Sequence, residues 1–359
     1  MLLVMKSCSR NNVRVSNQSM AALANAYRLK FSMLALALLV CLFCSVAAKA
    51  QVQNFSNFIA FGDSLSDTGN LASSLPINLP FPFFDNRISD GPVAIDYLSA
   101  AIGFDARASE VGGFNFAVAG GNIVGLQRED LTAQVSSYLA RTNGVADSNA
   151  LYFVMLGGND LRRLRSQTDV SIAQSEIDAI VEQLLVQLTR LRSAGATHFF
   201  VSNVPNVGRI PETLQRETVD AGIAARAEQY TRDFNQLLNQ KLLQFTQQNS
   251  ANVIEYDLFT KIELILDSPA DFGFLISLEG CFDIGEIENV GDLFEIADAF
   301  HPLCEVGTRF DRFVFFDKLH PASGVNQIVG ESMIQALSAA PPVTEPPAYL
   351  SALYLLLLD

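Results

Sequence analysis

Four short apolar runs punctuate the chain at wide intervals: Phe58–Phe61, Leu151–Leu156, His198–Ser202 and Val253–Tyr256. Each has the length and composition of a buried strand. The stretches between them carry a different period. From Glu176 to Ala194, Ile177, Ile180, Val181, Leu184, Leu185, Leu188 and Leu191 form one stripe at helical spacing, and Gly195 follows as a C-cap. Val219 to Gln248 is more polar but repeats the spacing at Tyr230, Phe234, Leu237, Leu238, Leu242 and Phe245. Alternating strands and helices predict an α/β domain with a mainly parallel sheet covered on both faces. Functional residues are then expected at the C-terminal ends of the strands.

The two ends depart from this pattern. Residues 1–50 hold six basic residues (Lys6, Arg10, Arg14, Arg28, Lys30, Lys49) and no acidic one. An apolar stretch, Phe31 to Ala47, leads into Ala48-Lys49-Ala50. A basic n-region, an apolar h-region and an A-x-A end predict a cleaved signal peptide and export, to the periplasm or beyond; Met20 and Met33 are alternative starts. A membrane anchor would want about 20 apolar residues. Beyond the domain at 51–340, Pro341, Pro342, Pro346 and Pro347 introduce a tail whose apolar part, Ala348 to Leu358, is too short to span a bilayer.

Loss of the leader changes the charge picture. The whole chain carries a net charge of −14; without the six leader positives, 18 basic residues face 38 acidic ones, a net of −20. So acidic a surface repels nucleic acid and anionic membranes. Cys8, Cys41 and Cys44 leave with the leader, so Cys281 and Cys304 are expected to form a disulfide, with two free thiols the alternative. Three histidines with no His-x-x-x-His spacing argue against a catalytic metal, and no cofactor is expected.

The chemistry concentrates in four short segments. Phe61-Gly62-Asp63-Ser64-Leu65-Ser66-Asp67-Thr68-Gly69-Asn70 follows the first strand and places Ser64 where a helix would begin. A serine there can attack a carbonyl while its own amide holds the resulting oxyanion. Asn115-Phe116-Ala117-Val118-Ala119-Gly120-Gly121 offers a bare glycine N–H at Gly120, and Leu156-Gly157-Gly158-Asn159-Asp160 presents the Asn159 carboxamide. Phe315-Phe316-Asp317-Lys318-Leu319-His320-Pro321 puts a carboxylate three residues before a histidine, so that one loop carries both a base and the group that orients it. Acyl transfer needs this set: a nucleophile, three oxyanion donors (Ser64, Gly120, Asn159) and an Asp317–His320 pair.

These blocks, in this order, resemble the GDSL or SGNH hydrolases, and bacterial phospholipase or lecithinase-type members in particular. Asn86-Arg87-Ile88-Ser89-Asp90-Gly91-Pro92 is close to that family's G-R-x-S-N-G-P, with Asn86 in place of glycine and Asp90 in place of asparagine; these departures are read as bearing on substrate loops. Val201-Ser202-Asn203-Val204-Pro205-Asn206 is similar to its V-x-N-x-P segment. The resemblance runs from about Phe55 to Leu337 and implies a three-layer α/β/α, flavodoxin-like fold. It implies Ser64, His320 and Asp317 as catalytic residues, with the Ser64 and Gly120 amides and Asn159 as the oxyanion hole. The α/β-hydrolase elbow G-x-S-x-G is absent from the chain.

The expected function is a secreted serine esterase or lipase acting on small or lipid esters, with transient contact with lipid surfaces. A lipid acyltransferase and a carbohydrate acetylesterase are the alternatives on the same scaffold; a binding module is disfavoured because every catalytic position is filled. Asp63 and Asp67 are expected to fix the turn around Ser64 by bonding backbone amides. His198 is read as a core histidine and His301 as a loop residue. Arg162, Arg163 and Arg165 are read as a solvated face, with an anionic head group as the minority reading. Phe81, Phe83 and Phe84 divide between core packing and an acyl groove.

Overall fold

The computed structural model describes residues 54–75, 78–283, 300–304 and 310–339. The leader, the C-terminal tail and most of the acidic segment between the cysteines lie outside these residues. Strands β1 (Phe58–Gly62), β2 (Leu151–Met155), β3 (His198–Ser202) and β4 (Asn252–Tyr256) form one parallel sheet in that order. The register sets Phe58 beside Leu151, Leu151 beside His198 and His198 beside Asn252. β1 and β2 are buried throughout, as apolar runs without alternation require, whereas β4 is half-buried as an edge strand.

A fifth segment completes the sheet. On the free side of β1, the Ala60 N–H donates to Phe114 O (3.0 Å), Phe116 N–H donates to Ala60 O (2.7 Å), and Val118 N–H donates to Gly62 O (3.1 Å). With this segment counted second in the chain, the spatial order becomes 2-1-3-4-5, the flavodoxin-like arrangement, whose chain reversal opens a crevice beside the first strand. Ser64 and Gly120 leave the sheet on either side of that crevice.

Helices α1 (Ala94–Ala101) and α8 (Ser323–Ala339) pack together on one face. The other carries α2 (Leu131–Arg141), α4 (Val170–Ala194) and α6 (Ile223–Asn249). Shorter helices α3 (Gly158–Leu164), α5 (Pro211–Arg216) and α7 (Leu258–Asp267) cap the C-terminal ends of strands. The layers are thus the three expected. The long stripe predicted from Glu176 starts earlier, at Val170, because the Asp169 carboxylate accepts from Ser171 N (2.9 Å) and Ile172 N (3.2 Å). A second, two-stranded parallel ribbon joins β5 (Ile276–Gly280) to β6 (Phe313–Phe315) and delivers the loop that carries His320.

Candidate active site

β1 ends at Gly62, and the chain turns at once: Ser66 N and Asp67 N both donate to Asp63 O (3.0 and 2.9 Å). No helix begins at Ser64, contrary to the sequence expectation, so a helix dipole does not orient it. Side-chain bonds hold the turn instead. Gln134 of α2 grips the end of β1 from both sides, accepting from Gly62 N (2.9 Å) and donating to Gly62 O (2.7 Å). Asp63 accepts from Leu65 N (3.0 Å). The Asp67 carboxylate accepts from Gly69 N (2.8 Å), Asn70 N (2.6 Å), Leu71 N (2.9 Å) and, across the crevice, Ala119 N (2.9 Å). Both aspartates therefore play the structural part expected of them. The last bond fixes the Gly120 loop against the Ser64 turn, a link that sequence spacing gave no means of reading.

The opposite wall comes from the loop after β6. Asp317 Oδ1 accepts from Leu319 N (2.7 Å) and His320 N (2.6 Å), folding the loop back on itself, while Asp317 Oδ2 bonds His320 Nδ1 (2.7 Å). His320 Nε2 then lies 2.8 Å from Ser64 Oγ. When Nδ1–H donates to the Asp317 carboxylate, Nε2 is the ring nitrogen left to accept from the Ser64 hydroxyl. Ser64, Asp317 and His320 are all buried.

Asn159 lies in the first turn of α3 at the adjacent strand end, and its Nδ2 donates to Gly121 O (2.9 Å). A carboxamide has two N–H donors, so one ties down the glycine loop and the other remains for a ligand. Ser64, Asn159 and His320 line one cleft of about 530 Å³, its open mouth included, together with Leu65, Met155, Ile210 and Leu319. Gly120 is left-handed (φ 86°) and adjoins this cleft through the Gly121–Asn159 bond without forming its wall. Four of the five expected site residues are thus brought together directly, and the fifth sits one residue from a bond to them.

Burial pushes Asp63 and Asp160 each up to about 6, against the pull of backbone amides on both. Asp160 accepts from Ile123 N (2.8 Å) and Val124 N (3.2 Å), pinning the segment that follows the glycines. Glu212 moves the other way. Burial alone would raise it, but Arg162 and Arg165 outweigh burial and hold it at about 2. Arg162 bonds it through Nε (2.6 Å) and Nη2 (2.5 Å), and the buried Arg165 through Nη1 (2.7 Å). Both arginines stand on or just after the helix that carries Asn159, and Glu212 N donates to Lys318 O (2.9 Å) inside the Asp317–His320 loop. Two of the three arginines therefore tie the cleft's walls together rather than forming a solvated face, while Arg163 pairs with Glu176 at the surface (3.5 Å).

Other expectations resolve as follows. The Asp90 carboxylate accepts from Ser323 N (2.8 Å) and Ser323 Oγ (2.7 Å), capping α8 three residues after His320. Asn86 occupies the left-handed region (φ 63°), a conformation asparagine shares with the glycine it replaces. Phe83 is core, edge-on to Phe282 and Phe316, while Phe81 and Phe84 are exposed. His198 starts β3 half-buried against Phe55, and His301 bonds Glu279 (2.9 Å) in its loop. The Cys281 and Cys304 sulfurs lie at bonding distance, with Cα atoms 5.3 Å apart. Cys281 N and Phe282 N bond Phe315 O (3.1 Å) and Phe316 O (3.0 Å), directly before Asp317.

A flavodoxin-like α/β/α sandwich that holds a serine, a histidine and an aspartate in one hydrogen-bonded chain is an arrangement suited to acyl transfer. The chain belongs to the GDSL-like lipase/acylhydrolase family, whose family model matches residues 58–333, and it is a carboxylic ester hydrolase. Similar proteins include a thermolabile hemolysin of Vibrio parahaemolyticus, 25% identical over 80% of this chain; the chain spans 65% of that protein's length. A GDSL esterase/lipase of Arabidopsis thaliana is 25% identical over 83% of this chain and 92% of its own. Among solved structures, an acetylxylan esterase from Geobacillus stearothermophilus aligns over 80% of this chain and 96% of its own, at 13% identity and a TM-score of 0.41.

Proposed function

We propose that the protein is an exported serine esterase that hydrolyses acyl esters through a covalent intermediate on Ser64. The observation that carries this reading is the unbroken chain Asp317–His320–Ser64, with bonds of 2.7 and 2.8 Å. In the proposed reaction His320 Nε2 takes the Ser64 proton as Oγ attacks the ester carbonyl. The negative charge that develops on the carbonyl oxygen is met by the Ser64 and Gly120 amides and the Asn159 carboxamide. Asp317 holds the Nδ1–H tautomer and stabilises the imidazolium. His320 then returns the proton to the leaving alcohol, and the acyl group stays on Ser64. Water, deprotonated by the same nitrogen, attacks the acyl-enzyme, releasing the acid and regenerating the serine.

Names of relatives that contain esterase, lipase or hemolysin favour an acyl-lipid substrate, and the basic–apolar leader with its A-x-A end supports export. No helix among the described residues is long and apolar enough to cross a membrane. The test is Ser64→Ala assayed on p-nitrophenyl esters. A loss of about 10⁴-fold or more in kcat with an unchanged fold is expected; retained turnover by the folded variant would end the proposal.

A further inference from the structure

One buried carboxylate in the cleft takes no part in the proposed reaction. Asp63 precedes Ser64, lines the cleft together with Ser64, Asn159 and His320, and is 4% exposed. Its Oδ1 accepts from Leu65 N (3.0 Å), whereas its Oδ2 meets no hydrogen-bond donor among the described residues. That oxygen is not sealed in, since the side-chain atoms there that are both fully buried and without a partner are Ser66 Oγ and Arg165 Nε. It faces the α3 wall: a methyl built on Gly158, another lining residue, would have Asp63 Oδ2 as its one neighbour within 4 Å, at 3.9 Å. Burial raises this carboxyl to about 6, against the pull of the Leu65 amide and the charge of His320, and the charge of Asp160 on α3 adds to the rise. At neutral pH it is an anion that can only accept. A buried anionic oxygen without a donor takes one from what enters the cleft.

We infer that Asp63 Oδ2 is the second acceptor for the water that releases the acyl group, and that it makes water rather than an alcohol the preferred acyl acceptor. The inference rests on the ester-hydrolase reading of Ser64 and extends it to the choice of acceptor. Water brings two protons. As its oxygen bonds the acyl carbon, one proton passes to His320 Nε2; the other stays on that oxygen and ties it to Asp63 Oδ2. The bond between the acyl carbon and Ser64 Oγ then breaks, His320 returns its proton to Oγ, and the free acid leaves. An alcohol brings one proton, which His320 takes, so its alkyl group is set against the carboxylate and strips it of hydration.

The experiment reads this competition directly. Wild type and Asp63→Asn are given p-nitrophenyl butyrate with methanol present, and butyric acid and methyl butyrate are quantified. Asparagine keeps an oxygen for Leu65 N and puts an N–H group where Oδ2 stood, and that group bonds a lone pair of water or of methanol alike. Loss of a charge-assisted bond from the water branch alone should raise the ratio of methyl ester to acid by about tenfold or more. Both products come from one acyl-enzyme, so a loosened turn or a displaced His320 slows both branches and leaves the ratio where it was; an unmoved ratio overturns the inference. Should the variant not fold, the wild type decides. The charged groups acting on Asp63 are His320 and Asp160, while Asp67 in the same turn is spent on backbone amides. Protonation of His320 removes the base from both branches equally, and Asp160, bonded to Ile123 N and Val124 N, is no part of the cleft's lining. Lowering the pH from about 8 to about 5 neutralises Asp63, so the ratio should rise by about threefold or more; a constant ratio refutes the role. If no p-nitrophenol is released under any of these conditions, it is the ester-hydrolase reading that has failed, an outcome distinct from the others.

Discussion

Replacing Glu212 by glutamine keeps the side chain's shape and removes one charge from a triad in which Glu212 and Arg165 are buried and Arg162 reaches the surface. Wild-type Glu212 is held at about 2 against an ordinary 4.5, a difference worth about 3 kcal/mol of folding stability at neutral pH. The Glu212→Gln change would also strand Arg165, which is only 3% exposed, and breaking one side of a buried pair costs about 3–5 kcal/mol. The two figures describe the same interaction from its two partners, so the expected loss is about 3–4 kcal/mol rather than their sum. The sign of the pH dependence follows from the lowered folded value. The stabilisation is fully present above about 4.5 and is lost as pH falls through about 2. Urea unfolding of both proteins should therefore show the full gap at pH 7, shrinking to about 1.5 kcal/mol by pH 3. Because Glu212 N also holds Lys318 O, kcat at pH 7 should fall more than KM rises. A variant within 1 kcal/mol of wild type at pH 7, or a gap of constant size down to pH 3, would refute the reasoning.

Three further outcomes follow from the same bonds. Asn159→Ala should lower kcat by about 10²–10³ with little change in KM, since its free N–H acts when the oxyanion forms; a rise in KM alone would reassign it to ground-state binding. Reducing the Cys281–Cys304 pair should lower stability by about 3 kcal/mol and lower kcat as well, because the cysteine strand pairs with the residues before Asp317; free alkylation of both thiols without denaturant would show the bridge to be absent. Gly280→Ala would place a methyl about 2.4 Å from the Asp317 backbone carbon, so kcat measured with the fold checked by circular dichroism should drop at least tenfold; an unchanged kcat would mean that the Asp317 loop yields without disturbing His320.

Much of the site was legible because its chemistry is local. Asp317 and His320 are three residues apart in one loop, and the Ser64 turn and Asn159 each follow an apolar run that already marks a strand. Three of the four strands of the main sheet are bounded within one residue of the apolar runs, and the fourth matches its run. What escaped is non-local. Glu212 lies about fifty residues from the arginines it binds, so Arg162 and Arg165 looked like surface charges. Asp67 reaches Ala119 across fifty-two positions, and Asp90 caps a helix 233 positions away. Sequence period carries no information on such pairings. The ribbon of β5 and β6 was equally hidden, since β5 is only half-buried and its ISLEG run mixes apolar and polar positions. The helix expected at Ser64 failed for a physical reason: Asp63 and Asp67 satisfy the turn's amides without one.

The central claim is a covalent acyl group on Ser64, and intact-protein mass spectrometry tests it most directly. After brief reaction with p-nitrophenyl octanoate and acid quenching, the wild type should gain one octanoyl mass, mapped by peptide digestion to the segment containing Ser64. The Ser64→Ala protein should gain none and should turn over no ester. An adduct on another residue, or hydrolysis by folded Ser64→Ala protein, would contradict the account.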